Sequence, residues 1–403
     1  MLGRSEQTAE APGAVPSPVT VALAGLAALA IAMGIGRFAF TPILPMMQGD
    51  AGLSVAAGGW LAAANYIGYL LGALSAMAMR VRAATTIRGG LVVISIVTIG
   101  MGLDHRFTTW VVLRALAGIA SAWVLIFVSA WCLRKLAPLR RPLLNGAVFA
   151  GVGTGIAVAG WVCLVLMHAD ASAAQAWIIL GVLSLGVTAV IWPAFGVDDD
   201  VSSRSRQRST ERAHRWDADS VRLVLCYGAF GFGYIIPATF LPVMARHVIQ
   251  EPLIFGLSWP VFGAAAATST LAVAMSPRFA GNRRLWIVNH LVMALGVALP
   301  IFWPGIAGIM LAALFVGSTF MVITMVGLQE ARQVAGRHAT GLMAAMTSAF
   351  ASGQIAGPIL VSYVVGADGD FSKALLVACV LLVASAYALS QSPGFRQEME
   401  RSE

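Results

Sequence analysis

Two arginines, Arg37 and Arg114, stand inside long apolar runs of a 403-residue chain, where a cation is rarely placed without a purpose. A charged side chain deep in an apolar medium costs about 2.5–3.5 kcal/mol on insertion scales, so it must be paired, hydrogen-bonded or functional. None of the 18 acidic residues falls in the middle of an apolar run: Asp50, Asp104 and Glu330 all lie near run ends. The missing negative charge points to an anionic ligand, with helix carbonyls and water as the structural alternative. Polar residues that can line the same cavity are Thr41, one helical turn from Arg37; Asn65, Tyr66 and Tyr69; Tyr234; and Gln354. The tyrosines and Gln354 serve equally well as interfacial anchors or interhelical hydrogen bonds.

No catalytic constellation accompanies them. The chain has no HExxH, no GxSxG and no phosphate loop with lysine, and the expectation is a non-enzyme without metal or cofactor. Cys132, Cys163, Cys226 and Cys379 lie inside apolar runs without a CxxC pair and read as small buried hydrophobes. Asn289 and His290 read as structural.

The elements that must hold these residues are membrane spans. Hydrophobic residues make up 59% and charged residues 11% of the chain, against roughly 45–50% and about 25% in a soluble domain. Lipid must therefore cover much of the surface. The net charge of +8 does not indicate nucleic acid, because the arginines sit in short clusters between apolar runs. The runs predict an all-α membrane protein with spans over 20–47, 54–79, 87–103, 108–134, 142–168, 174–195, 221–247, 253–276, 284–303, 305–330, 339–366 and 373–391. Residues 1–19 form a polar tail, 20–196 and 221–391 two six-helix bundles, 197–220 a charged linker and 392–403 a second tail. The even-numbered connections hold seventeen Lys and Arg residues and the odd-numbered ones three, which places both termini in the cytoplasm. At about 1.5 Å per residue, Arg37 and Arg114 then lie roughly 5 and 10 Å to the outer side of their span midpoints.

The halves repeat. Gly34-Ile-Gly36-Arg37 through Leu44-Pro45-Met46-Met47 is matched by Gly231-Phe-Gly233-Tyr234 through Leu241-Pro242-Val243-Met244 at an offset of 197. Trp60 and Trp259, Gly118 and Gly317, and Gly160 and Gly357 continue the series at 197–199. Tyr234 occupies the repeat position of Arg37, so the expected site is asymmetric, with a cation on one wall and a phenol on the other. Gly34, Gly36, Gly118, Gly153, Gly155, Gly231, Gly233 and Gly357 are expected at close helix contacts, with Gly36 and Gly233 where one repeat approaches the other. Pro42, Pro45, Pro237, Pro242 and Pro358 are expected to bend or gate their helices.

Two parallel six-helix repeats are how the halves of the major facilitator superfamily are built, and the chain resembles that superfamily over its whole length. The string Gly34-Ile-Gly36-Arg37-Phe38-Ala39-Phe40-Thr41-Pro42-Ile43-Leu44-Pro45 resembles its YbfB/YjiJ-type branch, as do Asn65 through Gly72 and Gly353 through Pro358. Arg114-Ala-Leu-Ala-Gly118 is similar to the fourth-helix pattern associated with proton coupling. In the second-to-third connection the superfamily's Gly-x-x-x-Asp appears here as Gly72 followed by Ala76, which removes the carboxylate of the usual charge latch. The resemblance implies a monomeric secondary transporter in the plasma membrane (a bacterial inner membrane), using alternating access. Its partners would be a small-molecule substrate, an organic anion given Arg37, and the lipid bilayer; whether an ion is coupled stays open. An exporter of amphiphilic compounds and a non-transporting membrane sensor on the same fold are the alternative readings.

Overall fold

The computed structural model describes residues 17–79, 81–139, 141–196, 217–249, 251, 256–275, 281–335, 339–366, 369–392 and 394–395. The proposed N-terminal tail, nearly all of the linker and most of the C-terminal tail lie outside these residues. Twelve helices are found among them: α1 (Pro18–Ala51), α2 (Val55–Ala78), α3 (Ala83–Leu103), α4 (Phe107–Leu136), α5 (Pro142–His168), α6 (Ala173–Ile191), α7 (Ala218–Val248), α8 (Ser258–Met275), α9 (Asn282–Phe302), α10 (Ile306–Ala335), α11 (Ala339–Val364) and α12 (Ser372–Ser390). Eleven are long and apolar enough to cross a membrane. The remaining one, α2, has 24 residues, no charged side chain and an apolar composition, and is long enough to cross as well. The third span begins earlier than its sequence pattern suggests, at Ala83, because Thr85, Thr86 and Arg88 are accommodated in its first turns.

Local chemistry sets the ends. Ser17 caps α1 by accepting from Thr20 N, and Gly52 ends it at φ +61°, a left-handed conformation that costs glycine little. Ser54 caps α2, and Ser172 with Gln175 forms a capping box at α6. Asp217 caps α7 through Ser220 N.

Each half repeats one packing scheme. In the first, α1 packs on α5, α2 on α4, and α3 on both α4 and α6; in the second, α7 packs on α11, α8 on α10, and α9 on both α10 and α12. The halves meet through α5 with α8, α2 with α11, and α1 with α7. Without water to drive helices together inside lipid, backbone proximity decides these contacts, and glycine permits it. A Cβ at Gly153 would stand 2.4 Å from Ala267 N, and one at Gly263 would stand 2.2 Å from Ala157 N, so α5 and α8 touch backbone to backbone. Gly160 meets Pro260 on the same seam, and Gly59 of α2 meets the Pro358 carbonyl of α11.

Two expectations change here. Gly36 and Gly233 do not face the opposite repeat: a Cβ on Gly36 would meet Ser121 and Ile94, and one on Gly233 would meet Leu382, each within its own half. The break in α1 lies before its prolines. Residues Ala30–Ile35 are π-helical, 36–39 form a turn, and the α-helix resumes at Phe40 and continues through Pro42 and Pro45. In α7, Pro237 and Pro242 sit inside an unbroken helix.

The two ends of the bundle are distinct. Asp50 accepts from Ala173 N (2.5 Å) and Arg246 donates to the Pro45 carbonyl, joining odd-numbered connections and helix ends. Arg88 donates to Trp192 O, and Arg283 reaches Asp219 and Glu330, joining even-numbered ones. Residues 31–47 of α1 and 233–245 of α7 are buried without exception, so the odd-loop halves of these helices are clamped on all sides.

Candidate functional site

The site begins with the broken first helix. Gly36 N and Phe38 N bond five residues back, to Ile31 O and Met33 O, which is π-helical pairing. Pro42 has no N–H to offer Phe38 O, and Thr41 N takes that carbonyl at 3.1 Å instead. Arg37 O is thereby released from its usual helical partner. Arg114, buried on α4, reaches it with Nη2 at 3.1 Å and reaches Gly36 O with Nη1 at 3.5 Å. Asn65 Nδ2 bridges Gly36 O (3.3 Å) and Arg114 O (2.9 Å). The Arg114 guanidinium also lies 4.7 Å from the Phe40 ring centroid. Arg114 and Asn65 therefore act together as a clamp on the turn that carries Arg37.

Arg37 itself is differently placed. Its residue is 2% exposed, and its Cζ lies 4.2 Å from the Tyr69 ring centroid, 5.0 Å from Tyr66 and 5.2 Å from Phe38. Each such contact is worth about 0.5–2 kcal/mol, more where water is excluded, which offsets much of the desolvation cost. Nε and Nη2 nevertheless have no hydrogen-bond partner. These two nitrogens form the side edge of the guanidinium, the pair of parallel N–H groups that matches a carboxylate or phosphate in bidentate fashion.

Thr41 and Tyr66 look across the interface between halves. Thr41 Oγ1 donates to Ala238 O at 2.8 Å, a carbonyl left free because Pro242 lacks the N–H that would have taken it. Tyr66 Oη lies 3.1 Å from Thr239 Oγ1. On the far wall Gln354 Nε2 donates to the Tyr234 hydroxyl, while Gln354 Oε1 is buried without a partner. Tyr234 stacks between Phe320 (5.6 Å, 2° between planes) and Phe350 (5.6 Å, 9°), and Phe230 joins at 5.2 Å. Trp259 bridges the walls, touching Phe38 at 6.2 Å and Phe262 at 4.8 Å. Ring contacts from Phe38 through Trp259, Phe262 and Phe320 to Tyr234 join the Arg37 side to the aromatic wall.

The sequence candidates thus divide. Arg37, Tyr66 and Tyr69 cluster on one wall and Tyr234 and Gln354 on the other; Thr41 sits at the seam between halves, and Arg114 and Asn65 stand behind as support. The helix-packing candidates hold close contacts: Gly34 and Gly155 join α1 to α5, Gly118 sits under Asn65 O, Gly231 abuts Phe350 O, and Gly357 meets Ile235. Missed from sequence were Phe230, Phe320, Phe350 and Trp259 as a wall. The spacing of Phe230 to Tyr234 and of Phe350 to Gln354, one helical turn each, was the available signal. Also missed was the buried Asp219–Arg283–Glu330 network at the even-loop end of the second half, whose members are 111 residues apart in sequence.

Comparison with known proteins places this arrangement. Residues 29–390 match a protein family described as "Uncharacterised MFS-type transporter YbfB". Among solved structures, the nucleoside transporter NupG is similar with a TM-score of 0.70 at 13% identity, covering 92% of this chain and 98% of that one. The D-xylose-proton symporter is similar with a TM-score of 0.72 at 14% identity, covering 92% and 97%. No curated protein sequence matches.

Proposed function

The chain belongs to the MFS-type transporter family that it matches over residues 29–390, and from that premise we propose that it is a secondary transporter of a small organic anion, working by alternating access. The observation that carries the anion is the unpartnered bidentate edge of the buried Arg37. Nucleosides and D-xylose are uncharged at neutral pH, so the anion rests on Arg37 rather than on the structural likenesses. Alternating access is supported by the contacts between halves at the odd-loop side: Thr41 with Ala238, Tyr66 with Thr239, Arg246 with Pro45, and Trp60 against Tyr363. Each contact is reversible, and together they support a gate closed on that side. The charge bias of the connections makes the even-loop side cytoplasmic, in a plasma membrane. Substrate then meets Arg37 from one side or the other as the gate opens and closes.

The test measures ligand affinity and thermal stability together for wild type, Arg37→Ala and Arg37→Lys. Arg37→Ala is expected to abolish binding of organic anions while the protein stays folded in the membrane. Arg37→Lys is expected to keep the fold and restore binding only in part, since lysine keeps the charge without the planar fork. Unchanged anion affinity in a stable Arg37→Ala protein ends the proposal. Sidedness has its own check: reporter fusions after Arg141 are expected to read cytoplasmic and fusions near Asp50 and Asp170 external, and the reverse pattern overturns the orientation.

A further inference from the structure

The interior offers a ligand more than a cation. Its two walls carry buried polar atoms of opposite kind: two free N–H groups on Arg37, and a free carbonyl oxygen on Gln354. Beside Gln354, which donates to the Tyr234 hydroxyl, stack the near-parallel rings of Phe320, Tyr234 and Phe350. Phe320 and Tyr234 are buried, whereas Phe350, whose ring also meets Tyr227 and Phe230, is only half-buried. Gln354 lies one turn beyond Phe350 on α11, so the free oxygen and the half-buried ring belong to the same surface of that helix.

Chemistry narrows what fits. The Arg37 edge asks for two parallel acceptor oxygens. Gln354 Oε1 can only accept, and a buried acceptor without a donor is costly. The aromatic wall favours a flat ring over a saturated one, by about 0.5–1.5 kcal/mol beyond the area it covers. We infer that the substrate is an aromatic carboxylate that also bears a hydroxyl or N–H donor: the carboxylate sits on Arg37, the ring against Phe350 and the donor on Gln354. This inference rests on the organic-anion reading of Arg37 and adds the ring and the second polar group.

The experiment measures dissociation constants of the full chain in nanodiscs for six probes: 4-hydroxybenzoate, 4-methoxybenzoate, benzoate, cyclohexanecarboxylate, propionate and 4-hydroxybenzyl alcohol. The expected order is 4-hydroxybenzoate tightest, about tenfold ahead of benzoate for one satisfied acceptor, with benzoate ahead of cyclohexanecarboxylate and propionate. Gln354→Met is expected to erase the hydroxybenzoate advantage while keeping benzoate binding. Should that variant fail to fold, Phe350→Leu, at a half-buried position, is expected to remove the preference for benzoate over cyclohexanecarboxylate. Equal binding of cyclohexanecarboxylate and benzoate by wild type overturns the ring and leaves the anion reading intact. Binding of 4-methoxybenzoate as tight as that of 4-hydroxybenzoate overturns the donor contact at Gln354. Binding of 4-hydroxybenzyl alcohol as tight as that of 4-hydroxybenzoate, or binding of none of the carboxylates, overturns both this inference and the anion reading beneath it.

Discussion

The two halves of the molecule share a backbone plan and differ in chemistry in two places, in opposite senses. In the interior the first half is polar, with Arg37, Asn65, Tyr66, Tyr69 and Arg114, while the second presents Phe230, Tyr234, Trp259, Phe262, Phe320 and Phe350. At the even-loop end the assignment reverses. There Arg283 of α9, fully buried, binds Asp219 at the start of α7 and Glu330 near the end of α10. At the corresponding helix ends of the first half, on α1 and α4, stand Val21 and Cys132. They touch through nothing stronger than a thiol to the Val21 carbonyl at 3.9 Å. The same pair of helix ends is joined by an ion network in one half and by a weak thiol contact beside the Trp131–Phe195 ring pair in the other. The difference teaches that the repeat conserves where helices touch, not what holds them.

The pseudo-twofold axis is visible where the halves meet. Thr41 bonds Ala238, its own repeat equivalent 197 residues on, and Gly49 faces Arg246 at the same offset. Contacts between equivalent positions occur only on the axis, so it passes through the odd-loop gate. Equivalent residues near such an axis form a symmetric interior, and Arg37 at the repeat position of Tyr234 makes this one asymmetric.

The strongest way to break the comparison is at the ion network. Arg283→Met leaves Asp219 and Glu330 without their common partner and is expected to destabilise the protein by about 3–5 kcal/mol, as breaking a buried pair does. Neutralising all three, with Asp219→Asn and Glu330→Gln added, should recover most of that loss. Cys132→Ala at the corresponding first-half helix end should cost no more than about 1 kcal/mol, as an ordinary substitution does. Thermal unfolding in detergent reads all three. Equal losses at Arg283 and Cys132 would show that the network contributes no more than its apolar counterpart.

Where the halves are alike, damage should be alike. Gly34 and Gly231 are repeat equivalents, and a Cβ on either would stand 2.3 Å from the backbone of its partner helix, at Gly155 and Phe350 respectively. Gly34→Leu and Gly231→Leu are each expected to cost at least about 1–3 kcal/mol through overpacking and to stop solute uptake in proteoliposomes. Normal uptake by either one would mean that its helix pair separates during transport.

The smallest effect sharpens the picture at the gate. Thr41→Val removes the bond to Ala238 O without changing side-chain shape much, a loss of about 1 kcal/mol or roughly fivefold in the ratio of closed to open. A cysteine placed at Met47, itself 1% exposed, should then be labelled about five times faster. No change in labelling would place the closing energy elsewhere, on Tyr66 and Arg246.

Much of this was legible in one sequence. Twelve apolar runs, the division at the charged segment and the 197-residue offset all follow from lipid excluding charge and from duplicated residues at duplicated contacts, which are local facts. Arg37 and Arg114 were visible as cations without acids nearby. Sequence could not say which of them was committed: that depended on Pro42 displacing Thr41 N onto Phe38 O and so freeing Arg37 O for Arg114, a chain of bonds spanning two helices. The aromatic wall and the Arg283 network were equally invisible, since their members come from helices separated by tens of residues and become neighbours only on packing. Spans and symmetry are set by the environment each residue must tolerate alone. Partners are set by which helices meet, and only the tertiary structure decides that.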